Sequence, residues 1–189
     1  MKENEYWKIC EALDCERRLS VLRFLIEAET TEFLSVCELA EKFDMSEPGM
    51  SVHLKKLADV GLVSSKRADR RVYYRAFATN ESSARTIAAL RAFFARRPDA
   101  TRVDELLKYV HALSHHRRNA IVRCLNSLPG LSLKELANKT DMPPQTADRL
   151  WGELNKAHIV NLGSTVVPTG RQPEATFLEL TVAWTNPHL

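Results

Sequence analysis

The chain has 189 residues, 44% of them apolar and 27% charged, a globular composition that excludes wholesale disorder and leaves room for one or two domains. No window approaches 18 consecutive apolar residues, and Met1-Lys2-Glu3-Asn4-Glu5 is too acidic and polar to open a signal peptide, so a cytoplasmic protein with no membrane partner is expected. The net charge of +3 divides into 17 basic against 15 acidic residues over 1–98 and 10 against 9 over 99–189, so only local clustering of basic side chains could point to a nucleic acid.

Residues 6–13 and 17–28 carry apolar side chains at helical spacing, with Leu19, Leu22, Leu25 and Ile26 on one face. Ser35-x-x-Glu38 is a capping box that starts a short helix through Leu39 and Ala40. After a break at Asp44-Met45, Ser46 is placed to cap a second helix, with Pro48 in its first turn and Gly61 at the left-handed position that ends it near Val60. Two β-prone runs, Leu62–Ser64 and Val72–Arg75, flank the polar segment 66–71 and predict a hairpin with a charged tip. Amphipathic helices are predicted over 81–97, with Ile87, Leu90 and Phe94 inward, and over 103–113, with Leu106, Leu107, Val110 and Leu113 inward.

The pattern then recurs. A shift of 100 residues places Ala12-Leu13 over Ala112-Leu113 and Arg17-Arg18 over Arg117-Arg118, while a shift of 97 places Ser35–Ala40 over Ser132–Ala137, Met45 over Met142 and Leu57 over Leu154. A shift of 104 brings Tyr73-Tyr74 over Phe177-Leu178. Two copies of one module are therefore expected, 1–98 and 99–189. In the second, Leu150, Trp151 and Leu154 are assigned to the core.

A capped short helix, a tight turn, a second helix and a β-hairpin form the winged helix-turn-helix order. Ala12-Leu13-Asp14-x-x-Arg17, Cys37–Ala40, Ser46–Leu57, Gly61-Leu62-Val63 and Arg71–Tyr74 resemble the ArsR-type transcriptional regulators over about residues 6–97. The two tandem winged-helix domains joined by amphipathic helices that the repeat predicts depart from a family of mostly single-module homodimers; the resemblance implies a mainly α fold with small β-hairpins. It also implies a sequence-specific DNA-binding regulator, a repressor by preference, with double-stranded DNA as partner. The alternative is a tandem winged-helix adaptor that binds another protein. Family positions for base or phosphate contact correspond to Ser46, Glu47, Gly49, Ser51, Val52 and His53, with Lys55 and Lys56 near the backbone. Glu47 and Gly49 depart from the Gln and Thr often found there; a carboxylate can accept from cytosine N4 but repels phosphate, and glycine offers no side chain, so fewer direct contacts are expected.

Arg67, Arg70 and Arg71 are the densest basic cluster, suited to a minor groove or to phosphates. Tyr73 and Tyr74 are expected to pack the hairpin. The second copy offers Gln145, Thr146 and Arg149, and Arg171 in a longer hairpin loop over 163–175, so it is either a weaker DNA contact or a pairing partner for the first. In the family the terminal helices build the dimer, which here implies self-association as an intrachain pseudo-dimer or a homodimer.

No metal site or cofactor is expected. Cys37 falls where metal-sensing family members place a thiolate, but its neighbours Ser35 and Ala40 are not ligands; Cys10 and Cys15 could contribute from an N-terminal arm, yet free cysteine is also a frequent buried hydrophobe, and Cys124 lies on an apolar stretch. His111 and His115 are four residues apart with His116 beside them, yet the spacing supplies no carboxylate and marks a helix end. Without a glycine-rich phosphate loop, a nucleophile elbow or an HExxH motif, the chain is not expected to be an enzyme.

Overall fold

The computed structural model of the protein describes residues 6–28, 33–96, 101–128, 130–157 and 159–160. The chain divides into two compact units, Ala12–Asp104 and a second assembled from Met1–Glu11 with Glu105–Leu189. Two helices change unit along their length, α1 (Tyr6–Leu13) and α6 (Thr101–Leu113).

The first unit is built on α2 (Glu16–Glu27), β1 (Leu34–Ser35), α3 (Val36–Lys42), α4 (Glu47–Asp59), β2 (Val63–Ala68), β3 (Arg71–Ala76) and α5 (Glu81–Arg96). Its core is the predicted stripe of α2, Leu19, Leu22, Leu25 and Ile26, closed by Leu39 of α3, Met50, Leu54 and Leu57 of α4, and Ile87, Leu90 and Phe94 of α5. Each buried leucine contributes about 1.5–3 kcal/mol by leaving water.

Local chemistry sets the helix ends. Ser35 and Glu38 complete the predicted capping box, with the Ser35 hydroxyl accepting from the Glu38 amide and the Glu38 carboxylate accepting from the Ser35 amide at 2.7 Å. The exit of α3 is a Schellman turn: Asp44 takes φ +48 and the Met45 amide donates to Ala40 O at 2.9 Å. Helix α4 ends the same way around Gly61, at φ +78, with Leu62 N donating to Leu57 O. A Cβ on Gly61 would lie 2.4 Å from both Thr79 and Asn80, where Asn80 and Ser83 cap α5 reciprocally, so the end of one helix is pressed against the start of another.

The sheet has three strands rather than the predicted two. Its order is β1-β3-β2, antiparallel throughout, with Ser35 opposite Tyr73 and Leu34 opposite Tyr74. Strand β1 is two residues long, too short to display the alternation by which strands are read from sequence. The hairpin is also longer than expected. Residues 66–68 and 71 belong to the strands, and only Asp69, at φ +54, and Arg70 form the turn. Exposed charged side chains tolerate strand pairing because neither face at this end of the sheet has to be buried.

In the second unit, α7 (His116–Ser127), α8 (Leu133–Lys139) and α9 (Pro144–Lys156) pack on one another with Leu136, Ala137, Ala147, Leu150 and Leu154 inside. Ser132 and Glu135 form a second capping box. Asp141, at φ +51, and the Met142 amide donating to Ala137 O repeat the Schellman turn 97 residues on. Two core assignments change: Trp151 and Leu107 are half-buried. Trp151 matches Leu54 in the repeat, but α9 buries Leu150 instead and leaves the larger indole at the margin, a common place for Trp. The second hairpin, with Arg171, Phe177 and Leu178, lies outside the described residues, as do residues 97–100, where the two amphipathic helices were expected to meet.

Candidate nucleic-acid interface

The residues between 46 and 56 expected to contact DNA lie on α4 or at its N-cap. Ser46 is the N-cap, its hydroxyl accepting from the Gly49 amide at 3.3 Å, so Ser46 and Glu47 stand exposed where the helix begins. Val52 is 56% exposed, although an apolar side chain on a helix usually turns inward; a methyl-bearing side chain in that position suits contact with a thymine methyl. Lys55 and Lys56 are exposed on the following turn, while Gly49 and Ser51 are half-exposed.

His53 is different. It is half-buried, its Nδ1 is enclosed without a hydrogen-bond partner, and burial lowers its pKa, helped by the nearby positive charges of Arg18, Arg17 and Lys56. The neutral imidazole is thereby favoured, which makes His53 as much a part of the helix packing as of its reading face.

The negative charge of Glu47 raises the Cys37 pKa against the opposing influence of Arg71. A thiol held protonated is a poor metal ligand. Among the described residues no group of three or more His, Cys, Asp or Glu side chains could hold a metal ion. His115 lies beyond the end of α6 and caps α7, accepting from the Arg117 amide and stacking on His116 at 4.6 Å, so it does not share a helical face with His111.

Arg67, Arg70 and Arg71 are all exposed. Because Arg67 pairs with Val72 and Arg71 with Ala68, those two arginines point to opposite faces of the hairpin, with Arg70 at the turn. They straddle the wing rather than forming one patch. Tyr74 is on the face toward α4, where burial and Asp59 raise its pKa, and Tyr73 is on the other.

In the second unit, Gln145 and Arg149 are exposed and Thr146 half-buried. Arg149 is engaged: Glu153 accepts from Arg149 on one oxygen and from Arg118 of α7 at 3.0 Å on the other. Burial works against the Glu153 carboxylate, but the two guanidiniums outweigh it and lower its pKa.

Sequence reasoning overlooked one arginine in each unit, Arg18, which is buried, and Arg118, which is half-buried. Arg18 donates to the carbonyls of Ala12 and Asp14 at the end of α1, and Arg118 Nη2 donates to His111 O at the end of α6. The signal was present in the pairing of Arg17-Arg18 with Arg117-Arg118, where a charged residue recurs inside an apolar stripe.

Residues 15–65 match the family described as bacterial regulatory protein, arsR family. The matched segment runs from the start of α2 into β2 and contains both helices of the helix-turn-helix, and it points to DNA-binding transcription regulation. No curated protein and no solved structure gave a significant match. Among the described residues, no helix is long and apolar enough to cross a membrane.

Proposed function

We propose that the chain is a sequence-specific, cytoplasmic repressor of transcription that lays α4 in the major groove of double-stranded DNA and straddles the adjacent minor groove or phosphates with Arg67, Arg70 and Arg71. The observation that carries this reading is the exposed Ser46-capped start of α4 beside an exposed hairpin bearing three arginines. Ser46, Glu47, Gly49, Ser51, Val52 and His53 meet base edges or phosphates from the first turns of the helix, and Lys55 and Lys56 meet the backbone.

The second unit acts as a diverged winged-helix module whose first duty is to partner the first, giving an intrachain pseudo-dimer. Support comes from the repeated capping boxes and Schellman turns. The arginine on its candidate reading helix is already occupied by Glu153, which favours partnering over reading. Gln145, Thr146 and Arg171 remain for weaker DNA contacts.

The test is a titration of the full chain against fluorescent duplexes, one random and one from upstream of its own gene, across a salt series. Tight upstream binding, with log K falling against log salt by about 0.9 for each phosphate neutralised, is expected. Salt-independent or absent binding to both would replace this reading with a protein-interaction role.

A further inference from the structure

The face of the sheet turned away from α4 carries a ladder of aromatic and cationic side chains that the duplex reading does not use. Lys66 and Tyr73 are cross-strand partners, Arg75 follows two residues later on the same side of β3, and Phe33 precedes β1 where it runs beside β3. Lys66 Nζ stands 4.4 Å from the centroid of the Phe33 ring and 6.0 Å from that of Tyr73. The Arg75 guanidinium lies between two rings, 4.6 Å from Phe33 and 4.8 Å from Phe77. Its Nε is enclosed without a hydrogen-bond partner, and Phe77 is 52% exposed, a large apolar ring left in water. The residues of β2 and β3 on this face are Ser64, Lys66, Ala68, Arg71, Tyr73 and Arg75, without a carboxylate among them.

Aromatic rings interleaved with fixed cations complement a ligand that repeats flat π surfaces and negative charges. A duplex hides its base faces in the stack, whereas a single strand exposes them beside its phosphates. We propose that this outer face is a stacking platform for single-stranded nucleic acid, with Phe77 taking a base and Lys66 and Arg75 supplying the charge for the neighbouring phosphates. Arg71, which the duplex reading uses, shares this face, but Phe33, Lys66, Arg75 and Phe77 have no part in that reading, so the platform stands whether or not it does.

Fluorescence anisotropy of the full chain with a short labelled oligo(dT) and with an abasic strand of equal length tests this. Oligo(dT) should bind, and the abasic strand at least about tenfold more weakly, since it keeps the phosphates and loses the bases. Phe77→Ala and Phe77→Leu should each weaken oligo(dT) binding about tenfold, Phe77→Tyr should restore it, and duplex binding should be unchanged in all three. Equal affinity for the abasic strand would reduce the face to a general polyanion site and overturn the proposal. So would absence of oligo(dT) binding, or retention of full affinity by Phe77→Leu.

Discussion

Helices of 12, 7 and 13 residues occur at Glu16–Glu27, Val36–Lys42 and Glu47–Asp59, and again at His116–Ser127, Leu133–Lys139 and Pro144–Lys156. Both sets have a Ser/Glu capping box, an aspartate in the left-handed region after the short helix, and an arginine bound to carbonyls of the preceding helix. The surfaces differ. Where α4 begins with Ser46 and Glu47, α9 begins with Pro143 and Pro144, and Lys56 is replaced by Glu153, which ties down Arg149. The residues that set the helix ends correspond between the two sets, while several outward-facing ones differ, which under the proposed function would leave only the first set suited to DNA.

The sharpest way to break that comparison is to remove charge from each side. The triple change of Arg67, Arg70 and Arg71 to Ala should weaken duplex binding about a hundredfold at low salt and flatten the log K against log salt slope by up to about 2.7. Arg149→Ala and Arg171→Ala should each leave affinity within about threefold. The opposite pattern would hand the reading role to the second unit.

Stability should follow the crowding at the helix ends. Gly61→Ala forces a side chain into a left-handed backbone and against Thr79 and Asn80, a loss of about 2–4 kcal/mol in urea unfolding. Gly130, at φ +83, has nothing within 4 Å of its would-be Cβ, so Gly130→Ala should lose only about 1 kcal/mol from backbone strain. Equal losses would mean that the Thr79 and Asn80 contacts relax freely.

The two capping boxes can be compared in the same way. Ser132→Ala should cost about 1 kcal/mol, and Ser35→Ala more, about 1.5–2 kcal/mol, because Ser35 is buried and its removal strands the start of α3 beside β3. The hydrogen bonds from each serine lower the pKa of Glu38 and Glu135. A carboxylate whose folded pKa is lowered stabilises the fold above its unfolded pKa, and that contribution disappears as pH falls through the folded value. Both variants should therefore approach wild-type stability in acid, and a gap that stays constant with pH would show that the carboxylates do not take part.

A smaller effect tests whether Glu153 withholds Arg149 from the weaker DNA contact proposed for α9. Glu153→Gln should release Arg149, raise duplex affinity about twofold to threefold and steepen the salt slope by up to about 0.9. An unchanged slope would place Arg149 away from DNA altogether.

Much of this architecture was legible in the residues because its signals are local. Capping boxes, the Pro48 turn and Gly61 act over three or four positions, and the apolar stripe of α2 repeats within one helix. The missing pieces depend on partners distant in sequence. Strand β1 exists only because β3 offers it an edge, and the Phe33–Arg75–Phe77 ladder needs that strand in place. The wing arginines were legible as a cluster, but their division between two faces follows from register. Glu153 carried no local signal, because its partner Arg118 lies 35 residues away in sequence.

His53 offers the finest test of what a reading surface costs its own unit. Its counterpart 97 residues on is Leu150, which is buried and apolar, whereas the His53 ring is half-buried beside Arg17, Arg18 and Lys56 with Nδ1 unpaired. Because its pKa is lowered in the folded state, the unfolded chain takes up this proton first as pH falls through about 6.5, and stability declines until the folded ring is protonated as well. His53→Leu should therefore be at least as stable as wild type near neutrality and should lose part of the decline on acidification, as measured by urea unfolding at about pH 7.5 and 5.5. The remainder belongs to His115, whose pKa is lowered in the same direction by burial and by His116 and the adjacent arginines. Duplex affinity should fall by only a few fold, since leucine keeps the packing and loses one polar contact. A variant that is destabilised, with the acid decline intact, would show that the imidazole holds the helix in place, and the exchange of His for Leu between the units would then be structural rather than a mark of the one that reads DNA.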